Sequence, residues 1–359
     1  MIVLLFVSLL ATFLTYLEGE KKLKGGMKLG FAIVILTAAI RDDYGSDFEN
    51  YLDWFTQVSK NQLGLLQIIS KDAIFGVDNG WSLLCYIFSP FGFNFFVAAT
   101  TIFTGIVFYK FIQDNVDPKW RWIAVFVYLF TTQMFVLGLS MMRQSFAITL
   151  FVLSFSFVKK KKTILPIALM LLASTIHSSA IITIPFIFLN RLNYNKHRIF
   201  SCILVFLYIG SIFVAKYTSD MFNLFSSLST FERYTDTYTN ELEFELGIGF
   251  IVMQLPYLLY IIHAWRYSVP NNLGAALVMS CIPFYLLSFK EVAMSERLGY
   301  YFIPFSIICI PLVISALKKK NLQFSFLFIY IVITLYSYNA FFVSPIWRTK
   351  YFEYHSIFG

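Results

Sequence analysis

Apolar blocks of about 15–20 residues recur from one end of the chain to the other, and no other feature limits the fold so tightly. They run near residues 2–17, 29–40, 93–112, 122–141, 144–158, 199–217, 246–262, 272–289, 298–317 and 322–338. Blocks of that length suit helices that cross a bilayer, whereas a transmembrane barrel would show alternating strands of roughly 10 residues. Of the 359 residues, 58% are hydrophobic and 13% charged, against about 25% charged in a soluble domain. So little charge cannot wet the surface of a soluble globule this large. A cytosolic enzyme, a secreted disulfide domain and a disordered chain are therefore excluded. The expected fold class is an all-α polytopic integral membrane protein, with residues 1–359 forming a single transmembrane helical domain. The first 17 residues lack a basic leader and a small-residue cleavage site, so they are read as a first span that stays in place. Cys85, Cys202, Cys281 and Cys309 each lie in apolar sequence and none forms a C-x-x-C, which suits buried small hydrophobes.

The segment 163–189 decides the topology. It is apolar, interrupted at Thr175-Ile176-His177-Ser178-Ser179, and flanked by Lys159–Lys162 on one side and Arg191, Lys196, His197 and Arg198 on the other. A single crossing would put one basic cluster outside and would flip Lys318-Lys319-Lys320 as well. Two short antiparallel helices meeting near His177 keep all three clusters cytoplasmic. The expectation is about 12 crossings, some short or broken, with both termini outside. This arrangement places 18 of the 28 Lys and Arg on the cytoplasmic side but only four of the 20 Asp and Glu. The net charge of +8 then follows from membrane orientation and implies no nucleic-acid partner.

Two long extracytoplasmic loops follow from the same layout. Residues 41–92 carry amphipathic stretches and a short apolar run, 81–89, and are expected to form interfacial or re-entrant helices. Residues 218–245 form a polar loop with Glu241, Glu243 and Glu245, read as a solvated lid or as a cover over a polar substrate.

The chemistry gathers on the external side. Arg41, Arg143, Arg233, Arg297 and Arg348 lie there, and Arg41, Arg143 and Arg297 sit at the outer ends of spans. The guanidinium fork matches phosphate oxygens and stays charged where water is scarce. Three such residues with few competing lysines point to an anion site; snorkelling, or pairing with Asp42, Asp43, Asp47 or Glu296, is the alternative. His177, at a break in the membrane among Ser174, Thr175, Ser178 and Ser179, can take a proton from a hydroxyl or can be a satisfied core residue. No nucleotide-binding glycine loop, nucleophile elbow or zinc-protease motif is present. Without nucleotide chemistry, external bond formation needs an activated substrate that is already outside, such as a lipid-pyrophosphate sugar.

Four ordered elements resemble the EpsG-like, Wzy-type family of bacterial polysaccharide polymerases, which includes O-antigen and exopolysaccharide polymerases. Arg41 to Tyr51 resembles its R-x-x-x-G-x-D-x-x-x-Y element. Asp78-Asn79-Gly80-Trp81 resembles its E-x-G-[FW] element, with Asp for the usual Glu. Met142 to Ala147, a lysine run and Ala173 to Ala180 resemble its R-Q-x-x-A … A-x-x-x-H-x-S-A block. Ser295 to Phe302 resembles its E-R-x-x-Y-[YF] element.

The resemblance implies a glycosyltransferase. It would move a growing glycan from undecaprenyl-pyrophosphate onto the next lipid-linked oligosaccharide repeat, at the outer face of a bacterial cytoplasmic membrane. Arg143 and Arg297 would hold the donor pyrophosphate, and Arg41 would help or would orient Asp47. His177 would be the general base on the acceptor hydroxyl, with Asp47 or Glu296 as alternatives. Gln144, Tyr51, Tyr300 and Arg233 join the substrate-binding candidates. No cofactor and no metal is expected, since arginines can neutralise the leaving group. The expected partners are the lipid-linked oligosaccharides, membrane lipid and a chain-length regulator. An O-antigen ligase-like glycosyltransferase would use nearly the same chemistry. A lipid-linked oligosaccharide flippase would instead place charges near the midplane and often show inverted repeats.

Overall fold

A computed structural model describes residues 1–60, 78–192, 271–287 and 297–358, together with isolated positions between them. The expected loop 218–245 lies outside the described residues, as do Glu296, Arg233 and most of the blocks 199–217 and 246–262. The chain divides into two compact units, Met1–Ile187 with Thr334–Gly359, and Phe188–Ile333.

Helices dominate, as the apolar blocks require. The first unit opens with α1 (Ile2–Gly19) and α2 (Gly26–Ala39), followed by the short strand β1 (Arg41–Asp42) and α3 (Phe48–Lys60). Next come α4 (Asn79–Phe88), α5 (Phe93–Asn115), α6 (Arg121–Phe130), α7 (Val136–Ser140), α8 (Met142–Lys159) and α9 (Ile164–Ile176). A 3₁₀ helix, Ser178–Arg191, follows. The second unit contains α10 (Asn271–Leu287) and α11 (Ser306–Ala316). The helix α12 (Lys320–Val343) leads back to the first unit, which ends in α13 (Pro345–Tyr351) and β2 (His355–Ser356). The strands β1 and β2 pair antiparallel, Arg41 opposite Ser356 and Asp42 opposite His355.

Among the described residues three helices are long and apolar enough to cross a membrane: α1, α5 and α12. Shorter apolar helices accompany them, α2, α9 and the 3₁₀ helix among them. Within α1, the Thr12 and Thr15 hydroxyls donate to the carbonyls of Ser8 and Ala11, each at 2.8 Å. This back-bonding hides polar groups that a membrane could not solvate. Gly26 and Gly30 let α2 lie directly on the α1 backbone. An added Cβ would stand 2.1 Å from the Leu14 carbonyl oxygen and 2.9 Å from the Ala11 Cα. Such small-residue seams bring helices together where no hydrophobic force separates lipid from protein.

The block 122–141 is not one helix, contrary to the expected single span. It breaks between Phe130 and Val136, where the Leu137 N–H donates to the Thr132 carbonyl and Met134 N–H to that of Thr131. Thr132, Met134 and Phe135 are buried, and irregular backbone at this depth survives only inside protein. At His177 the chain reverses. The Thr183 hydroxyl, six residues after the histidine, donates at 2.9 Å to the sulfur of Met170, seven residues before it. The returning arm is 3₁₀ rather than α-helical.

Three lysine-bearing turns of this unit collect at one end. Tyr16 packs edge-on to Trp122 at 5.8 Å, which joins the Lys21–Lys24 turn to the Lys119–Arg121 turn. Lys159 donates to Asn115 Oδ1 at 2.7 Å, which brings in the run Lys159–Lys162. The opposite end carries the candidate site.

Candidate functional site

The loop between β1 and α3 is built around two left-handed residues, Asp43 (φ 39°) and Gly45 (φ 97°). Gly45 presses on Ser140 so closely that a Cβ would sit 2.5 Å from the serine Cβ. Past this turn the Asp47 N–H donates to Ser140 Oγ at 3.3 Å. The Asp47 carbonyl accepts from the Tyr51 N–H, so α3 starts with the half-buried Asp47 carboxylate at its amino end.

Ser140 ends α7, and Arg143 follows three residues later on the first turn of α8. The Arg143 N–H donates to the Tyr51 hydroxyl at 3.4 Å. Its guanidinium lies over the Trp54 ring, 4.8 Å from the centroid. One Nη reaches Asp78 Oδ2 at 3.4 Å, with the two side chains 19% and 24% exposed. Its Nε is buried without a hydrogen-bond partner among the described residues. The cation is thus held by a ring face and a long ion-pair contact. Burial pushes the Tyr51 hydroxyl up to about 12; Arg143 pulls it down and Asp47 pushes it up.

Asp78 immediately precedes α4, whose second residue, Gly80, lies against the end of α9. A Cβ there would be 2.3 Å from Thr175 Oγ1 and 2.7 Å from the Thr175 carbonyl carbon and oxygen. His177 is two residues on. It is extended (φ −147°, ψ 109°) and ends α9. It is buried at 8% exposure, and its Nδ1 is 2.7 Å from Ser179 Oγ. The helices α8 and α9 form a hairpin around Lys160–Thr163. At 1.5 Å per residue Arg143 and His177 stand about 24 and about 20 Å from that turn, at nearly the same level.

Arg41 lies at the same end but is enclosed, at 2% exposure. It donates to the Ala38 carbonyl (2.5 Å), Thr101 Oγ1 (2.7 Å) and the Leu139 carbonyl (3.1 Å). It thereby ties α2, α5 and α7 together. Burial lowers its pKa to about 10, so it is charged at neutral pH. A cavity of about 40 Å³ adjoins it, lined by Thr100, Thr101, Thr104 and Ser145 together with aromatic and aliphatic side chains. That is room for a few waters. Gln144 is buried, at 3% exposure.

The structure therefore brings Asp47, Tyr51, Arg143 and His177 to one end of the first unit, with Arg41 enclosed nearby. Arg297 and Tyr300 belong to the second unit, where Tyr300 is 7% exposed and its N–H donates to the Arg297 carbonyl at 3.3 Å. Glu296 and Arg233 lie outside the described residues. Sequence reasoning did not assign Trp54, Asp78 or Ser140 to the site, although the Asp78-Asn79-Gly80-Trp81 element was the signal that could have found Asp78. Among the described residues no group of three His, Cys, Asp or Glu side chains could hold a metal ion.

The family model described as the EpsG family matches residues 28–356. No curated protein and no solved structure matches the chain.

Proposed function

The chain belongs to the EpsG family, and on that premise we propose that it is a membrane polysaccharide polymerase using lipid-pyrophosphate donors. The donor is a glycan on undecaprenyl pyrophosphate, and the acceptor is the next lipid-linked repeat. The acceptor hydroxyl oxygen forms the new glycosidic bond to the donor's anomeric carbon. The bond from that carbon to the pyrophosphate breaks, and undecaprenyl pyrophosphate leaves with the bonding pair. The hydroxyl proton passes to His177.

The observation that carries this reading is the setting of Arg143: a forked cation between the Trp54 face and Asp78, level with His177 and at the end away from the lysine turns. Charge grows on the pyrophosphate as it departs, and a fixed guanidinium stabilises it without having to reorganise. The lysine turns would face the cytoplasm under the positive-inside rule, which turns the site outward. About 12 crossings accord with that orientation. In this reading Asp47, keyed to the same segment through Ser140, orients the acceptor. The proposal rests on the first unit.

The test is purified protein incubated with lipid-linked repeats. A ladder of glycan sizes is expected. Arg143→Ala and His177→Ala should insert normally and lose the ladder. A single adduct on a different lipid would mean a ligase, and transbilayer movement without a new bond would mean a flippase.

A further inference from the structure

The end of the chain is folded onto the Asp47 loop. Besides the β1–β2 pairing, the Ile357 N–H donates to the Ile40 carbonyl at 2.9 Å and the Gly45 N–H to the Lys350 carbonyl at 3.0 Å. The Tyr354 hydroxyl donates to the Thr37 carbonyl, and the Tyr44 hydroxyl to the Tyr351 carbonyl at 3.2 Å. Tyr351 itself is fully buried, with its ring edge-on to Tyr44, Phe341 and Trp347. Its hydroxyl is 3.3 Å from Ser46 Oγ, which is 3.3 Å from Ser140 Oγ, the acceptor of the Asp47 N–H.

Asp43 holds left-handed backbone (φ 39°) without the freedom that glycine gives Gly45, and a non-glycine residue keeps such backbone where its surroundings over-determine it. Most of the tail's contacts supply backbone partners. The Tyr351 hydroxyl does something else, because it reaches through Ser46 to Ser140, the residue that anchors Asp47 three positions before Arg143. We infer that Tyr351 is a positioning residue for the transfer reaction, holding Asp47 in register with Arg143 through a Tyr351–Ser46–Ser140 hydroxyl chain. The inference rests on the polymerase reading above. The Lys350 to Glu49 contact at 3.5 Å, with side chains 40% and 70% exposed, adds little, because exposed pairs contribute little.

Tyr351→Phe keeps the ring and removes the hydroxyl. It should lower kcat about tenfold at unchanged KM, since small misplacements of reacting groups cost rate steeply. Amide hydrogen exchange over residues 44–51 should quicken about fivefold, the loss of one net hydrogen bond. Exchange in α8 and α9 should not change, nor should the thermal midpoint by more than a few degrees. Ser140→Ala should show the same kcat loss, and the double variant should be no slower than either single one, because the two act in one chain. Wild-type kcat in Tyr351→Phe, or a loss that follows the amount of folded protein, overturns the inference, as does faster exchange without loss of kcat. If the wild-type protein yields no ladder, the polymerase reading falls; if it yields one and Tyr351→Phe matches it, this inference alone falls.

Discussion

Gly80→Ala sets helix propensity against close approach. Gly80 is the second residue of α4, and replacing glycine by alanine in a helix stabilises by about 0.5–1 kcal/mol. The Thr175 contact opposes this. The new Cβ would meet Thr175 Oγ1 at 2.3 Å and the Thr175 carbonyl carbon and oxygen at 2.7 Å, against ordinary contacts of 3.4–4 Å. The hydroxyl can rotate away by giving up its 2.7 Å bond to the Leu172 carbonyl. The carbonyl cannot move without the end of α9, so α4 must retreat by roughly 0.7 Å, at an overpacking cost of about 1–3 kcal/mol. Close approach wins, and a net loss of about 1–2 kcal/mol is expected. The retreat carries Asp78 away from Arg143 and disturbs the backbone beside His177, so glycan polymerisation should fall about 10–100-fold. Thr175→Ala removes only the hydroxyl contact and should not rescue the variant. Thermal unfolding in detergent and the size-ladder assay measure both effects. A raised midpoint with full activity would refute the reasoning, because it would mean that α4 does not lie on Thr175 as described.

Arg143→Lys keeps the charge but loses the planar fork that stacks on Trp54, and turnover should drop at least tenfold; a fully active lysine variant would leave the site needing only a point charge. Arg41→Met removes donors from the Ala38 and Leu139 carbonyls and should destabilise the protein by about 1–3 kcal/mol in detergent denaturation. Wild-type stability there would show that the enclosed guanidinium is not a tie between helices. With the four native cysteines (Cys85, Cys202, Cys281 and Cys309) replaced, Met170→Cys with Thr183→Cys should cross-link within one chain. A failure to do so under oxidation with a short-reach reagent contradicts the reversal at His177.

Lysine placement made the reversal at His177 legible in the sequence, because a straight segment would separate one basic cluster from the others. That Arg41 and Arg143 stand at the ends of apolar blocks was legible in the sequence, whereas Asp47 and Tyr51 were singled out through the family resemblance. The interruption between Phe130 and Val136 was not. Thr131, Thr132 and Gln133 occupy only three positions of a long apolar block, and their effect depends on the buried neighbours that satisfy the freed backbone. The Gly80–Thr175 contact and the tail's grip on the Asp47 loop were equally hidden. Pairings between residues tens to hundreds of positions apart leave no periodicity to read. Arg41 is the most instructive case: its position at the end of a span suggested a ligand contact, yet its hydrogen bonds go to the protein's own carbonyls and threonine.

That enclosure has a consequence for biogenesis. The acceptors of Arg41 come from Ala38, Thr101 and Leu139, so two of the three are synthesised long after the guanidinium has left the ribosome. Until then its charge has only the Ala38 carbonyl of those three acceptors, and that end of α2 stays undocked. The nascent chain thus seats this corner only after its fourth apolar block, 122–141, has been translated, and a truncation before Leu139 should leave a half-inserted hairpin exposed to quality-control proteases.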